Sequence, residues 1–173
     1  MIMQDVYLTG NPQITFFKVV YRRHTNFAIE AIEQTFSGSP NFDRKVQCQI
    51  VRNGDLVTKM YLKTKLPALS ATSLLSGADA TSKLAWCPKV GYALVDNVEL
   101  EIGGSRIDKH YGDWMNVWYE LTRQPGQDRG FDKMVGNDAD TVTPAASVEE
   151  KRLYVPLQFF HCRNDGLALP LIA

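Results

Sequence analysis

Net charge is missing from this sequence: nineteen Lys and Arg balance nineteen Asp and Glu over 173 residues. That excludes the chain-wide basic footprint duplex binding requires. Cysteine is scarce. Cys48, Cys87 and Cys162 are odd in number, widely spaced and outside any CxxC or Cys/His cluster, a pattern that predicts buried free thiols in a reducing compartment and no disulfide frame. No apolar run approaches the ~20 residues that span a bilayer. No basic stretch precedes the first apolar run, so the opening is not a secretory signal. Asn-x-Ser/Thr is absent, and ordinary N-glycosylation is not encoded.

The usual signatures of catalysis are missing too. His24, His110 and His161 lie far apart, with no HExxH and no facial-triad spacing. Neither GxSxG nor GxGxxG occurs, and "GGSRID" lacks the lysine of a phosphate loop. His161 and Cys162 are adjacent, which on a strand sends them to opposite faces, one buried and one exposed, and not into a nucleophile pair. Glu149-Glu150 falls in a polar stretch where a solvated face is expected. The reading is a non-enzyme with no metal and no cofactor.

What the chain does have is an ordinary globular composition, 45% hydrophobic and 10% aromatic, and a length suited to one domain. Its charge is uneven. Residues 1–65 carry nine basic against five acidic side chains, and the remainder carry ten against fourteen. Near the start, "GNPQITFFKVVYRRHTNF" places Asn11-Pro12 before Ile14, Phe17 and Tyr21 at helical spacing. This predicts a short helix from about Pro12 to Arg22, with Arg22 and Arg23 complementing its dipole at the last turn.

Beyond Phe27 the texture turns to strand. "VQCQIVRNGDLVTKMYLKTKLP" reads as two alternating runs around Asn53-Gly54. A three-residue loop, Arg52-Asn53-Gly54 with Gly54 left-handed, puts Val46, Cys48 and Ile50 on the face of Leu56, Thr58, Met60 and Leu62, leaving Lys59, Lys63 and Lys65 to solvent. "VELEIGGSRIDKH" reads as a second hairpin with a Gly103-Gly104 turn. There Leu100 faces Ile107, Glu101 faces Arg106, and Glu99 meets Asp108 in a mild conflict. "YGDWMNVWYELTRQPG" sets Trp114, Val117, Trp118 and Leu121 on one helical stripe, with Asp113 able to cap it and Pro125-Gly126 stopping it. Two paired tryptophans mark a core or interface anchor.

Two long polar segments, 70–83 and 124–152, separate these strands and read as loops that are functional, contact-making or disordered. "LYVPLQFFHCRNDGLALPLIA" then returns to apolar strand texture. Its last residues are expected to be an uncovered apolar edge, met by a partner or by further polypeptide.

In this order, "LTGNPQITFFKVVYRRHTNFAIE", "RNGDLVTKMYLKTKLP", "VGYALVDNVELEIGGSRIDKHYGDWMNVWYELT" and "LYVPLQFFHCRNDGLALPLIA" closely resemble the N-terminal half of the major capsid proteins of nucleocytoplasmic large DNA viruses, of the iridovirus and algal-virus type. The resemblance implies an all-β fold: an antiparallel jelly-roll sandwich with a short N-terminal helix and a short inserted helix, the incomplete first barrel of a double jelly-roll. It divides the chain into a base segment, 1–25, and a jelly-roll domain, 26–173, with the last strands and the second barrel missing. It also implies homotrimeric, pseudo-hexagonal capsomers of an icosahedral virion shell, assembled in the host cytoplasm. Partners would be other copies, neighbouring capsomers, minor capsid proteins and a nearby internal membrane, with no specific nucleic acid. The interface candidates are Phe16, Phe17, Tyr21, Arg22 and Arg23 at the base, with Trp114 and Trp118 on the inserted helix.

Other classes give weaker expectations. A carbohydrate-binding jelly roll would use Asn137, Asp138 and Asp140 on a loop end, but no aromatic neighbours them in sequence. A cupin-like metalloenzyme lacks its histidine cluster. Nucleic-acid binding would fall to Arg22, Arg23, Arg44 and Lys45.

Overall fold

The computed structural model describes residues 24–74 and 81–172, and its contacts divide the chain into two units at Val51/Arg52. The helix expected over Pro12 to Arg22 lies outside the described residues.

In the first unit, residues 24–51, Ser37 and Gln47 form an antiparallel bridge, with Ser37 N donating to Gln47 O at 2.7 Å. Asp43, at φ 57°, turns the chain between them. Phe27, Ile29 and Phe42 are exposed. Val46 to Ile50 form no strand beyond the Gln47 bridge, contrary to the expected first hairpin.

The second unit holds β1 (Leu56–Val57), β2 (Tyr61–Leu66), β3 (Leu69–Ser70), α1 (Ala71–Leu74), α2 (Val90–Ala93), β4 (Asn97–Ile102), β5 (Ser105–Tyr111), α3 (Gly112–Thr122), α4 (Asp128–Val135), α5 (Ala139–Val142), β6 (Ser147–Val148), β7 (Lys151–Pro156), α6 (Phe160–Arg163), a 3-10 turn (Asp165–Leu167) and β8 (Leu169–Pro170). All pairs are antiparallel and nested: β1 with β8, β2 with β7, β3 with β6, β4 with β5. First with last and fourth with fifth is the wiring of a jelly roll, one long hairpin folded back on itself.

Nesting accounts for the failed hairpin. Gly54 is not left-handed, and β2 pairs across the whole domain with Lys151–Pro156. That partner matches its alternation better: Leu62 faces Val155 and Thr64 faces Leu153 on the inner side, while Lys63 and Lys65 point to solvent as expected. The apolar last strand is paired along one of its edges within the chain. Val57 pairs with Leu169, Leu56 with Pro170, and Leu171 N donates to Asp55 O at 2.9 Å.

The β4–β5 hairpin forms as expected, with Gly103 and Gly104 both at positive φ, 59° and 81°. A bulge between Leu100 and Glu101 shifts the remaining register by one residue. Leu100 therefore faces Asp108, not Ile107, and Glu99 faces Lys109, not Asp108. The shift replaces a like-charge pair with an ion pair, Lys109 Nζ to Glu99 Oε1 at 3.1 Å.

The stretch 124–152 is more ordered than a loop. It holds α4 and α5; Phe131 and Val135 of α4 are buried one turn apart, and Gly136, at φ 79°, ends that helix. Leu84 and Ala145 form a further bridge. The main core packs Leu66, Leu153 and Val155 of the β2–β7 ribbon against Val90 and Tyr92 of α2, Met115 of α3, and Phe131 and Val135 of α4. Helices thus cover the ribbon's inner face. Cys48 and Cys87 are exposed and Cys162 is half-buried, so the expectation of buried thiols fails at two of the three positions.

Candidate interaction surface

β5 runs into α3 without a loop, because Gly112 lets the chain turn directly beneath α2. A Cβ there would fall on the carbonyl oxygens of Tyr92 and Val95. Asp113 lies in the first turn of α3 and makes no side-chain cap, the N-cap being Tyr111. The tight corner stacks side chains from both elements. The His110 ring lies 4.3 Å from Trp114 at 14°, and Trp114 lies 5.6 Å from Trp118 at 15°.

From α6, the Arg163 guanidinium covers both indoles, with Cζ 4.9 Å from the Trp118 centroid and 5.8 Å from that of Trp114. Cation–π attraction of this kind contributes ~0.5–2 kcal/mol. Phe159 continues the cluster 5.2 Å from His110, and His161 lies 5.9 Å from Phe159.

His161 sits in a helical turn, not a strand; it is fully buried while Cys162 is half-buried. Its Nε2 is 3.4 Å from Met60 Sδ, and Nδ1 has no hydrogen-bond partner. Burial pushes the imidazole below its ordinary value, opposed by the negative charge of Asp108, so the ring is neutral near pH 7. His110 Nε2 lies 3.3 Å from Asp108 Oδ2 without the alignment of a hydrogen bond. Burial also raises the Cys162 thiol, which argues against a nucleophilic role.

Trp114 and Trp118 are thus brought together, half-buried, on the rim of the core. The residue of α3 that points fully inward is Met115, while Val117 is 54% and Leu121 78% exposed. The expected stripe is real, but half of it faces solvent. Phe16, Phe17, Tyr21, Arg22 and Arg23 lie outside the described residues. Arg44 and Lys45 are exposed in the first unit. His110, Phe159, His161 and Arg163 belong to the cluster unanticipated; the dense run "QFFHCR" holds three of them, and His110 stands four residues before Trp114.

Beside Arg163 opens a polar cleft of about 570 Å³ between Thr122–Gln127 and Asn164–Asp165, with Lys59 on its rim. No group of three or more His, Cys, Asp or Glu among the described residues is placed to hold a metal. No helix among them is long and apolar enough to cross a membrane.

The carbohydrate candidates are committed elsewhere. Asn137 Nδ2 donates to Asp132 Oδ1 at 2.9 Å, and Asp138 accepts from Thr141 Oγ1 at 2.6 Å and from Lys151. Burial raises the Asp138 carboxyl, but the hydrogen bonds and charge of Lys151, with Thr141, outweigh it and hold the group below the usual carboxylate range. Only Asp140 of the three is exposed.

Residues 15–173 match the family model described as major capsid protein N-terminus. The major capsid protein of Pyramimonas orientalis virus is 52% identical over 172 residues, covering 98% of this chain and 41% of that protein. That of Phaeocystis pouchetii virus is 50% identical, covering 98% and 36%. A quasi-atomic model of the PBCV-1 virus capsid superposes with a TM-score of 0.65 at 42% identity, over 92% of this chain and 35% of that one. The chain spans well under half the length of each.

Proposed function

The chain belongs to the family of major capsid protein N-termini, and from that premise we propose that it is a structural protein of a viral shell, supplying the N-terminal jelly-roll portion of a coat subunit. The observation that carries this reading is the family match over residues 15–173 on a domain whose strands nest first with last. The coat is that of a nucleocytoplasmic large DNA virus, located in the virion and assembled in the host cytoplasm. Its subunit is a double jelly-roll, each barrel a sandwich of two antiparallel sheets, and three copies form a pseudo-hexagonal capsomer of an icosahedral shell.

The work of such a protein is burial of surface between copies, not chemistry. Interfaces favour aromatic and arginine side chains around an apolar centre. The α3 rim fits that description: Trp114 and Trp118 are stiffened by stacking and by Arg163, with Val117 and Leu121 exposed beside them. At the base, Phe16, Phe17, Tyr21, Arg22 and Arg23 in the segment 1–25 face minor capsid proteins and the membrane side, and residues 26–173 form the barrel.

Sedimentation velocity over a wide concentration range tests self-association. The expected result is a concentration-dependent trimer that Val117→Asp with Leu121→Asp abolishes without lowering the melting temperature, since both side chains are exposed. A monomer at every concentration, or a trimer indifferent to the pair, overturns the α3 rim as a contact between copies.

A further inference from the structure

The outward face of the β2–β7 ribbon carries an arrangement that the fold alone does not need. The register sets Tyr61 opposite Pro156, Lys63 opposite Tyr154 and Lys65 opposite Arg152. Tyr61, Lys63, Lys65, Arg152 and Tyr154 are all exposed, and Lys59 is exposed just before them. Leu62, Leu66, Leu153 and Val155 of the same strands are fixed in or against the core. Strict alternation therefore locks the cations onto the opposite side.

Like charges directly opposite on an antiparallel pair are unfavourable. Lys65 has partial relief from Glu150, 2.7 Å away. Arg152 has no carboxylate partner among the described residues. A local rule broken in this way marks a functional surface more often than an accident.

We propose that this face binds an extended, acidic segment of a protein partner. Side chains on one side of an extended chain recur about every 7 Å, the same interval that separates Lys63 from Lys65 along β2. Carboxylates at alternate residues of such a segment meet Lys63 and Lys65 in step, and Arg152 takes a carboxylate with its planar fork. Tyr61 and Tyr154 flank the row with apolar surface and a hydroxyl each. The rings favour peptide over single-stranded nucleic acid. Both lie at one end of the row, Tyr61 opposite Pro156 and Tyr154 opposite Lys63, so no ring of this ribbon stands beside Lys65 and Arg152 for successive bases to stack on.

The test is fluorescence anisotropy with a labelled peptide alternating Glu and Thr, alongside a Lys-Thr peptide and an oligothymidylate, using the full chain. The Glu-Thr peptide should bind, weaken as salt rises, and lose about tenfold or more in affinity in Lys65→Glu with Arg152→Glu. Arg129→Glu with Lys133→Glu, the same charge change on α4, should bind as the parent does. Arg152→Gln separates this role from a structural one: it should weaken binding while melting no lower than the parent, because it removes a repulsion. Absence of Glu-Thr binding, equal loss in both double variants, preferential binding of the oligothymidylate, or a lowered melting temperature in Arg152→Gln each overturns the proposal. A monomeric chain would still bind the peptide, so failure of self-association leaves this result independent.

Discussion

His161 is a fully buried ring with a thioether on one nitrogen and nothing on the other. Burial lowers its pKa from the ordinary 6.5, with Asp108 pulling the other way. Between the folded value and 6.5 the unfolded chain binds a proton that the folded chain refuses, so stability falls as pH drops through that window and levels off below it. The slope from one such group is at most about 1.4 kcal/mol per pH unit. Thermal melts from neutral pH downward should show this loss, and His161→Phe should flatten it. A parent and variant of equal slope would contradict the neutral-ring reading. Asp138 acts further down the scale. Its depressed carboxyl contributes stability above the ordinary carboxylate pKa, lost as pH falls through the folded value. Gly112 depends on backbone proximity and not on charge. Gly112→Ala forces a methyl group against two carbonyl oxygens and should cost on the order of 1–3 kcal/mol in denaturant titrations. A neutral outcome would mean that the β5–α3 corner relaxes freely.

Elements show which local signals can be trusted. Gly103-Gly104 is read correctly because both glycines adopt the positive φ that a two-residue hairpin turn requires, and the strands on either side have no competing partner. Asn53-Gly54 carries an equally strong signal and forms no such turn, because β1 and β2 gain better partners far along the chain. The bulge at Leu100/Glu101 was foreshadowed by the Glu99/Asp108 conflict, whose resolution is the ion pair to Lys109. Lys109→Glu should restore the repulsion and lower the melting temperature, more at low salt than at high. A salt-independent effect would argue that packing, not charge, sets this register. The helix α4 was missed, because the polar residues of 124–152 read as a loop although Phe131 and Val135 lie one turn apart and Gly136 closes the helix. The α3 stripe was legible as a pattern but not in its orientation, since nothing local states that Met115, and not Leu121, meets the ribbon.

At the scale of the molecule, strand-rich architecture could be read from alternation, but the order of pairing could not. β1–β8 and β2–β7 join residues separated by most of the domain, and no turn between them advertises the match. The aromatic cluster shares this origin. Met60 meets His161, and Arg163 reaches Trp114 and Trp118, because the nested ladder returns α6 to the start of β2, whereas His110 and the two indoles stack locally at the β5–α3 corner. Non-local pairing also governs kinetics. Folding should fall in the millisecond-to-second range typical of such topologies, not the microsecond range of helical bundles, and stopped-flow refolding by tryptophan fluorescence would measure it.

The nested ladder has a mechanical corollary. Its rungs are connected in series: the outermost joins only Leu56–Val57 to Leu169–Pro170, and the next is shielded by the excursion through α6 and the 3-10 turn. Tension drawing Asp55 away from Leu171 would load these hydrogen bonds one at a time, as in a zipper. The terminal rung therefore yields first, while Leu153 and Val155 stay seated.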